Sequence, residues 1–265
     1  MKRATSKLKV YYWFYSIVGK LFSYKKLDET KLVFIFGTGR CGTTLLTQVL
    51  QSNKQVYLVK GELNEVIHKN LYPFEKQKLE GGKVSYGIEP QKFSEMSLMS
   101  WTKKSKQLTN LLKGVQLLHS NKTIVLKSAM VSLLIPNIVE LFPKIKLIHM
   151  FRNGIAVVDS LVLKNKNKFL SEGFKEHEVR EFYEVYWTKL MSKELEVSSR
   201  FKSKTLSLNY ETLTQDINTA LENLSAFLNL RNEFQFDITK IRTSNKEFKT
   251  DNAAMQKVLT QLGYQ

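Results

Sequence analysis

Gly37-Thr-Gly-Arg-Cys-Gly-Thr-Thr44 is the stretch of this 265-residue chain whose residue types and spacing most clearly suit chemistry. Gly37 and Gly42 stand five residues apart, between the apolar run Lys31–Phe36 and a segment of helical spacing from about Thr43 to Gln51. A turn of this size between a strand and a helix aims backbone N–H groups inward, and the helix N-terminus adds partial positive charge. The product is a phosphate cradle. A triphosphate loop requires Gly-Lys-Ser/Thr, because its lysine reaches the β- and γ-phosphates. Thr43 stands in the lysine's place, which argues against ATP or GTP. Arg40 supplies charge instead, and Thr43 and Thr44 supply hydroxyl donors. Gly39, Arg40, Cys41, Gly42, Thr43 and Thr44 are therefore the candidate binding residues, suited to a 5′-phosphate group without a triphosphate tail. A thiol at a helix N-terminus can be reactive, but no histidine or aspartate partner for Cys41 is identifiable, so it is not read as a nucleophile. Its alkylation is expected to block ligand binding.

Three further positions carry charge at strand ends. Arg152 follows Lys146–Phe151, and Ser160 lies eight residues on, inside the helix expected from about Gly154 to Leu163. An arginine forks onto phosphate oxygens and a serine hydroxyl adds one bond. Lys127 ends the apolar strand Thr123–Leu126. Glu62 follows the strand Gln55–Val59, with Glu65 one turn on; burial of either beside a substrate would raise its pKa. Tyr210, just beyond the strand Lys204–Leu208, suits either a nucleotide contact or core packing.

These positions need a scaffold. Apolar runs of strand length alternate with helical periodicity along the chain. The expected helices include a basic one from about Lys103 to His119, one over Leu133–Leu141, and a long one over Glu176–Ser198. The long one has apolar residues at three- and four-residue steps from Val179 to Met191. Helices at Asp216–Leu228 and Ala253–Leu262 follow. Gly61–Gly82 reads as helical at first, then irregular around Pro73 and Gly81-Gly82. This alternation implies an α/β protein with a parallel sheet covered on both faces, which binds ligands at the carboxyl ends of its strands.

Composition bounds the partner. Lys plus Arg number 41 and Asp plus Glu 24, a formal net charge of +17. Such an excess favours an anionic partner. One cysteine excludes an intrachain disulfide and a cysteine-cluster zinc site, and the four histidines lack paired-ligand spacing. No metal is expected, and a cytoplasmic, reducing home fits best. Nucleic acid is disfavoured because aromatic residues are not interleaved with arginine. No apolar run reaches the roughly 20 residues of a membrane-spanning helix. Residues 1–31 carry eight Lys/Arg against two acids. Their aromatic run, within residues 8–26, admits two readings: an interfacial helix lying on anionic lipid, or a helix packed on the protein's own core. The second is favoured. Residues 96–139 contain six lysines and no acid, usually a solvated face.

Gly-Thr-Gly-Arg-Cys-Gly-Thr-Thr-Leu-Leu resembles the 5′-phosphosulfate-binding loop of the sulfotransferases, particularly the branch whose loop reads Arg-Ser-Gly-Thr-Thr, with tyrosylprotein and bacterial members. Leu147 to Leu161, with Arg152 and Ser160, resembles the family's 3′-phosphate segment, and Tyr210-Glu-Thr-Leu its Tyr-Glu-x-Leu segment. Leu262-Gly-Tyr264 also resembles many bacterial members, so the likeness runs from about residue 31 onward. It implies a P-loop nucleotide-kinase-like, three-layer fold around a central parallel sheet of about five strands. It divides the chain into a basic aromatic N-terminal helix, 1–30, and a single domain, 31–265. It further implies 3′-phosphoadenosine 5′-phosphosulfate (PAPS) as donor, with Glu62 as general base and Lys127 stabilising the leaving phosphate. The acceptor segments, 61–114 and 164–175, carry no legible motif. A carbohydrate or glycolipid hydroxyl is favoured on family breadth and surface charge. Two departures stand out: Cys41 where the family usually has Ser, and Asn153-Gly154 where Asp usually follows the arginine. A nucleotide or small-molecule kinase, and a non-catalytic nucleotide-binding module, remain alternatives.

Overall fold

The computed structural model describes residues 6–62, 74–78, 84–88, 101–128, 132–237, 239 and 250–264. Its elements in chain order are α1 (Ser6–Leu21), β1 (Leu32–Phe36), α2 (Thr43–Gln51), β2 (Val56–Leu58), β3 (Phe74–Lys78) and β4 (Val84–Ile88). There follow α3 (Trp101–Leu118), β5 (Thr123–Ser128), α4 (Ile135–Leu141), β6 (Lys146–Phe151), α5 (Gly154–Ser171) and α6 (Glu176–Arg200). The last are β7 (Thr205–Asn209), α7 (Tyr210–Gln215), α8 (Ile217–Leu228) and α9 (Ala253–Gln261).

Five strands form one sheet in the order β2-β5-β1-β6-β7, and every pairing is parallel. β1 sits in the middle, fully buried along its length. Its side chains alternate between faces as the pleat requires. Leu32, Phe34 and Phe36 join a core with α1, α3 and α4. Val33 and Ile35 join another with α2 and α8. A third cluster, centred on Trp187, packs α5, α6 and α9 together. The α/β class and the parallel sheet agree with the sequence expectation.

The order places a topological switch at β1: the chain leaves β1 for β2 on one flank, whereas β6 lies on the other. Ligand crevices form at such points, outside the carboxyl ends of the strands. The register sets what stands there. Ile35 pairs with Lys127 on one side and Ile148 on the other, so β5 ends level with β1 at Ser128 and β6 runs two residues beyond it to Phe151.

Three elements differ from expectation. Helix α5 runs to Ser171 rather than stopping near Leu163. The lysine–asparagine run beyond Leu163 continues the helix: Phe169 is buried and Lys166 pairs with Glu176 at 2.6 Å. β3 and β4 form an antiparallel hairpin that was not anticipated; Phe74-Glu-Lys-Gln-Lys has one apolar residue and little strand propensity. The helix expected just after Gly61, the irregular stretch around Pro73 and Gly81-Gly82, and Glu65 lie outside the described residues.

α1 crosses α3 at a contact only glycine allows. A Cβ on Gly19 would lie 1.8 Å from the Asn110 carbonyl oxygen, and one on Gly114 would lie 1.9 Å from that of Tyr15. Tyrosines then fasten the helix: Tyr15 Oη lies 3.0 Å from Tyr57 Oη and 3.1 Å from His119 Nε2, and Tyr12 Oη donates to the Lys60 carbonyl at 2.6 Å.

Candidate active site

The glycine-rich loop folds tightly because two of its residues hold left-handed backbone: Arg40 at φ 74° and Gly42 at φ 102°. The first is unusual for a residue with a side chain, and such strain clusters at ligand sites. Gly42 is the N-cap of α2, and a Cβ there would lie 2.5 Å from the Tyr210 ring. Gly37 is pressed on β6, where a Cβ would meet the Met150 carbonyl oxygen at 2.0 Å. Gly39 faces open space. α2 begins at Thr43, so its first N–H groups lack intrahelical partners and open onto the crevice.

The charged residues read from sequence converge here. Arg40 Nε donates to Ser160 Oγ at 2.9 Å, joining the loop after β1 to the helix after β6. Lys127 Nζ lies 3.4 Å from Thr44 Oγ1. The Arg152 guanidinium stacks on the Tyr210 ring, 4.3 Å from its centroid, so Tyr210 serves both packing and the site. Arg152 Nε is buried with no hydrogen-bond partner. Arg40, Lys127 and Arg152 make no ion pair among the described residues. Cations gathered at strand ends and ion-paired to no carboxylate among the described residues, one with a buried unsatisfied donor, suit a polyanionic ligand. The residues present therefore fit a nucleotide carrying phosphates at two positions.

Glu62, half-buried, lines a small recess with Lys127, Lys60 and Tyr12. A carboxylate and a cation thus share one recess.

Three local findings refine the sequence reading. Cys41 is fully buried, its N–H donates to the Thr38 carbonyl at 3.2 Å, and burial, then the Glu194 carboxylate, push its thiol well above the ordinary range. The thiol packs beneath the loop rather than facing a ligand, so alkylating it requires the loop to open. Asn153 does not hold Arg152. Its side chain caps α5, accepting from the N–H groups of Ile155 at 3.0 Å and Ala156 at 3.4 Å, which asparagine does as well as aspartate. Gly154 is required by Trp187, whose ring a Cβ would approach to 2.5 Å.

The structure also adds residues that motif reading missed. Glu194, on α6, is fully buried. Its Oε2 accepts from the N–H and the hydroxyl of Thr38, 3.1 Å each, and stands 3.3 Å from His149 Nε2. His149 in turn stacks on Phe36, with ring centroids 4.8 Å apart. The signal was present: Trp187, Leu190, Met191, Glu194 and Val197 share one helical spacing, and an acid on an apolar stripe requires a partner. Glu211 accepts from the Asn153 N–H at 3.2 Å and from Tyr264 Oη at 2.6 Å, which ties Tyr264 to the backbone beside Arg152. Burial and the Glu211 carboxylate push the Tyr264 phenol far up.

Solved structures share this architecture. The sulfotransferase domain from the curacin biosynthetic pathway superposes with a TM-score of 0.54 at 20% identity, over 88% of this chain and 97% of that one. The sulfotransferase domain of the Synechococcus PCC 7002 olefin synthase gives 0.55 at 17% identity, over 88% and 94%. Sulfotransferase STF9 from Mycobacterium avium gives 0.55 at 13%, over 96% and 72%. No curated protein matches the chain by sequence. The model of the Sulfotransferase family matches residues 33–234, a span that holds the glycine-rich loop, Glu62, Lys127, Arg152, Ser160 and Tyr210, and the chain belongs to that family.

Proposed function

We propose that this protein transfers a sulfuryl group from PAPS to an acceptor hydroxyl. The observation that carries the reading is the bond between Arg40 and Ser160. It brings the candidate 5′-phosphosulfate loop and the candidate 3′-phosphate segment to one crevice. The N–H groups at the start of α2, with Thr43 and Thr44, hold the 5′-phosphate side. Arg152, steadied by the Tyr210 ring, and Ser160 hold the 3′-phosphate.

Transfer forms a bond from acceptor oxygen to sulfur and breaks the sulfur–oxygen bond to the 5′-phosphate, leaving adenosine 3′,5′-bisphosphate. Glu62 takes the acceptor proton. Lys127 offsets charge developing on the leaving phosphate oxygen. A carbohydrate or glycolipid hydroxyl is the favoured acceptor, on family breadth and surface charge, and contact with a membrane through residues 8–26 belongs to the same reading.

The test incubates the protein with labelled PAPS and a panel of glycans, lipids, phenols and peptides. Arg152→Ala should weaken bisphosphate binding roughly ten- to hundredfold, the loss of a charge-assisted bond. Glu62→Gln should lower turnover by about 10²–10⁴ while donor affinity holds. Tight bisphosphate binding with no transfer to any acceptor would favour a binding module, and ATP binding without bisphosphate binding would overturn both.

A further inference from the structure

α1 is apolar on two opposite faces, and among the described residues only one is covered. The inward face, with Tyr15 and Gly19, is buried on α3. The other face carries Val10, Trp13, Phe14 and Leu21 at helical steps, with exposures of 62%, 64%, 47% and 71%. Phe22 and Tyr24 extend it beyond the helix, with ring centroids 6.2 Å apart. A run of exposed aromatic and aliphatic residues on one helix face marks an interaction surface.

The charge around it narrows the partner. Lys7, Lys9 and Lys20 are exposed on the same helix, and Lys25 and Lys26 directly follow Tyr24. Lys25, Lys26 and Lys113 line a cavity of about 330 Å³, with Gln116 and Ser120 on its wall. Its single acid, Asp28, already accepts from the N–H and the hydroxyl of Thr30. Lys113 gives one N–H to the Ser23 carbonyl. No helix among the described residues is long and apolar enough to cross a membrane. Apolar side chains ringed by lysine, beside a lysine-lined cavity of headgroup size, match the boundary of an anionic bilayer.

We infer that the outward face of α1, with the lysines around it and the cavity at Lys25, Lys26 and Lys113, seats this protein on an anionic bilayer. This deepens the membrane contact proposed above and rests on it, but it does not depend on sulfuryl transfer.

The experiment is cosedimentation of the full chain with neutral phosphatidylcholine vesicles and with vesicles in which about a third of the lipid is phosphatidylglycerol. Bisphosphate affinity and light scattering are measured on the same samples. The expected result is binding to the anionic vesicles only, weakened roughly tenfold or more by high salt. Trp13→Ser with Phe14→Ser should lose vesicle binding, and Lys25→Gln with Lys26→Gln should reduce it several-fold, both with bisphosphate affinity unchanged. Equal binding to neutral vesicles, no binding to either, or a dimer that the Trp13/Phe14 variant dissociates would each overturn the proposal. A protein that docks but transfers nothing would count against the enzymatic reading alone.

Discussion

Arg152 is held by a ring face, the Tyr210 π-system at 4.3 Å, and by no carboxylate among the described residues. That leaves its charge for a ligand. Buried carboxylate is used instead beneath the loop, where Glu194 gathers the Thr38 N–H, the Thr38 hydroxyl and His149. Glu194 acts as a positioning residue, because it touches the loop and not the crevice. Glu194→Ala strands those groups in the interior, at a cost of about 3–5 kcal/mol. Thermal unfolding should show Tm lower by on the order of 10 °C. Glu194→Gln keeps an acceptor oxygen and the shape, so its loss should be smaller, and bisphosphate affinity should fall in the same order. Unchanged stability in Glu194→Ala would remove the role given to this residue. Motif reading reached the residues that gather at the strand ends, since phosphate chemistry restricts the types and spacing of such groups. It missed Glu194 because its partner Thr38 lies far off in the chain, and no local pattern joins them.

At the scale of elements, the closest helix contact is α1 against α3, where Gly19 and Gly114 let the backbones meet. Gly114→Val places a branched side chain where a Cβ would already stand 1.9 Å from the Tyr15 carbonyl oxygen. Helix α1 should separate from α3, stability should fall by at least about 1–3 kcal/mol, and hydrogen exchange in α1 should quicken. The same junction is pH-sensitive. His119 stacks on Tyr57 at 3.6 Å, and burial, then the nearby Lys122 charge, lower its pKa below the ordinary 6.5. The unfolded chain therefore takes up the proton first as pH falls. The stability this group contributes is complete above about pH 6.5 and is lost below it. Tm measured at pH 8 and pH 5.5 should fall more in the native protein than in His119→Gln, by about 1–3 °C because the ring is partly open to solvent. An identical drop in both would show that another group is responsible. The strands and their order of appearance were legible, since buried parallel strands are short apolar runs. The β3–β4 hairpin was not, because β3 is mostly polar, and the short alternation of β4, Val84-Ser-Tyr-Gly-Ile88, has no apolar partner strand to mark a pair.

Across the whole molecule, the parallel sheet brings the carboxyl ends of β1, β5 and β6 to one edge, and the chain's excess of +17 divides among different surfaces. Arg40, Lys127 and Arg152 stand at the strand ends. Lys7, Lys9, Lys20, Lys25 and Lys26 surround the outward face of α1. Strand alternation made the fold class readable, whereas the pairing of distant segments is a property of the folded chain. Tyr264 is the farthest of these. Its hydroxyl reaches Glu211, which holds the Asn153 N–H beside Arg152. Tyr264→Phe should weaken bisphosphate binding a few-fold, while urea unfolding remains one cooperative transition with an unchanged m-value. Stronger binding or no change would show that the bond has no bearing on the site.

That bond has a consequence for the timing of synthesis. Translation delivers the chain from its N-terminal side, and contacts between distant segments form late. The glycine-rich loop, Arg152 and Ser160 leave the ribosome well before Tyr264 does. Until residue 264 arrives, Glu211 lacks its tyrosine partner and the backbone beside Arg152 is held from one side only. A nascent chain stalled short of that residue therefore carries the candidate phosphate-binding groups in an unlatched cradle, which captures its ligand less firmly until one phenol arrives.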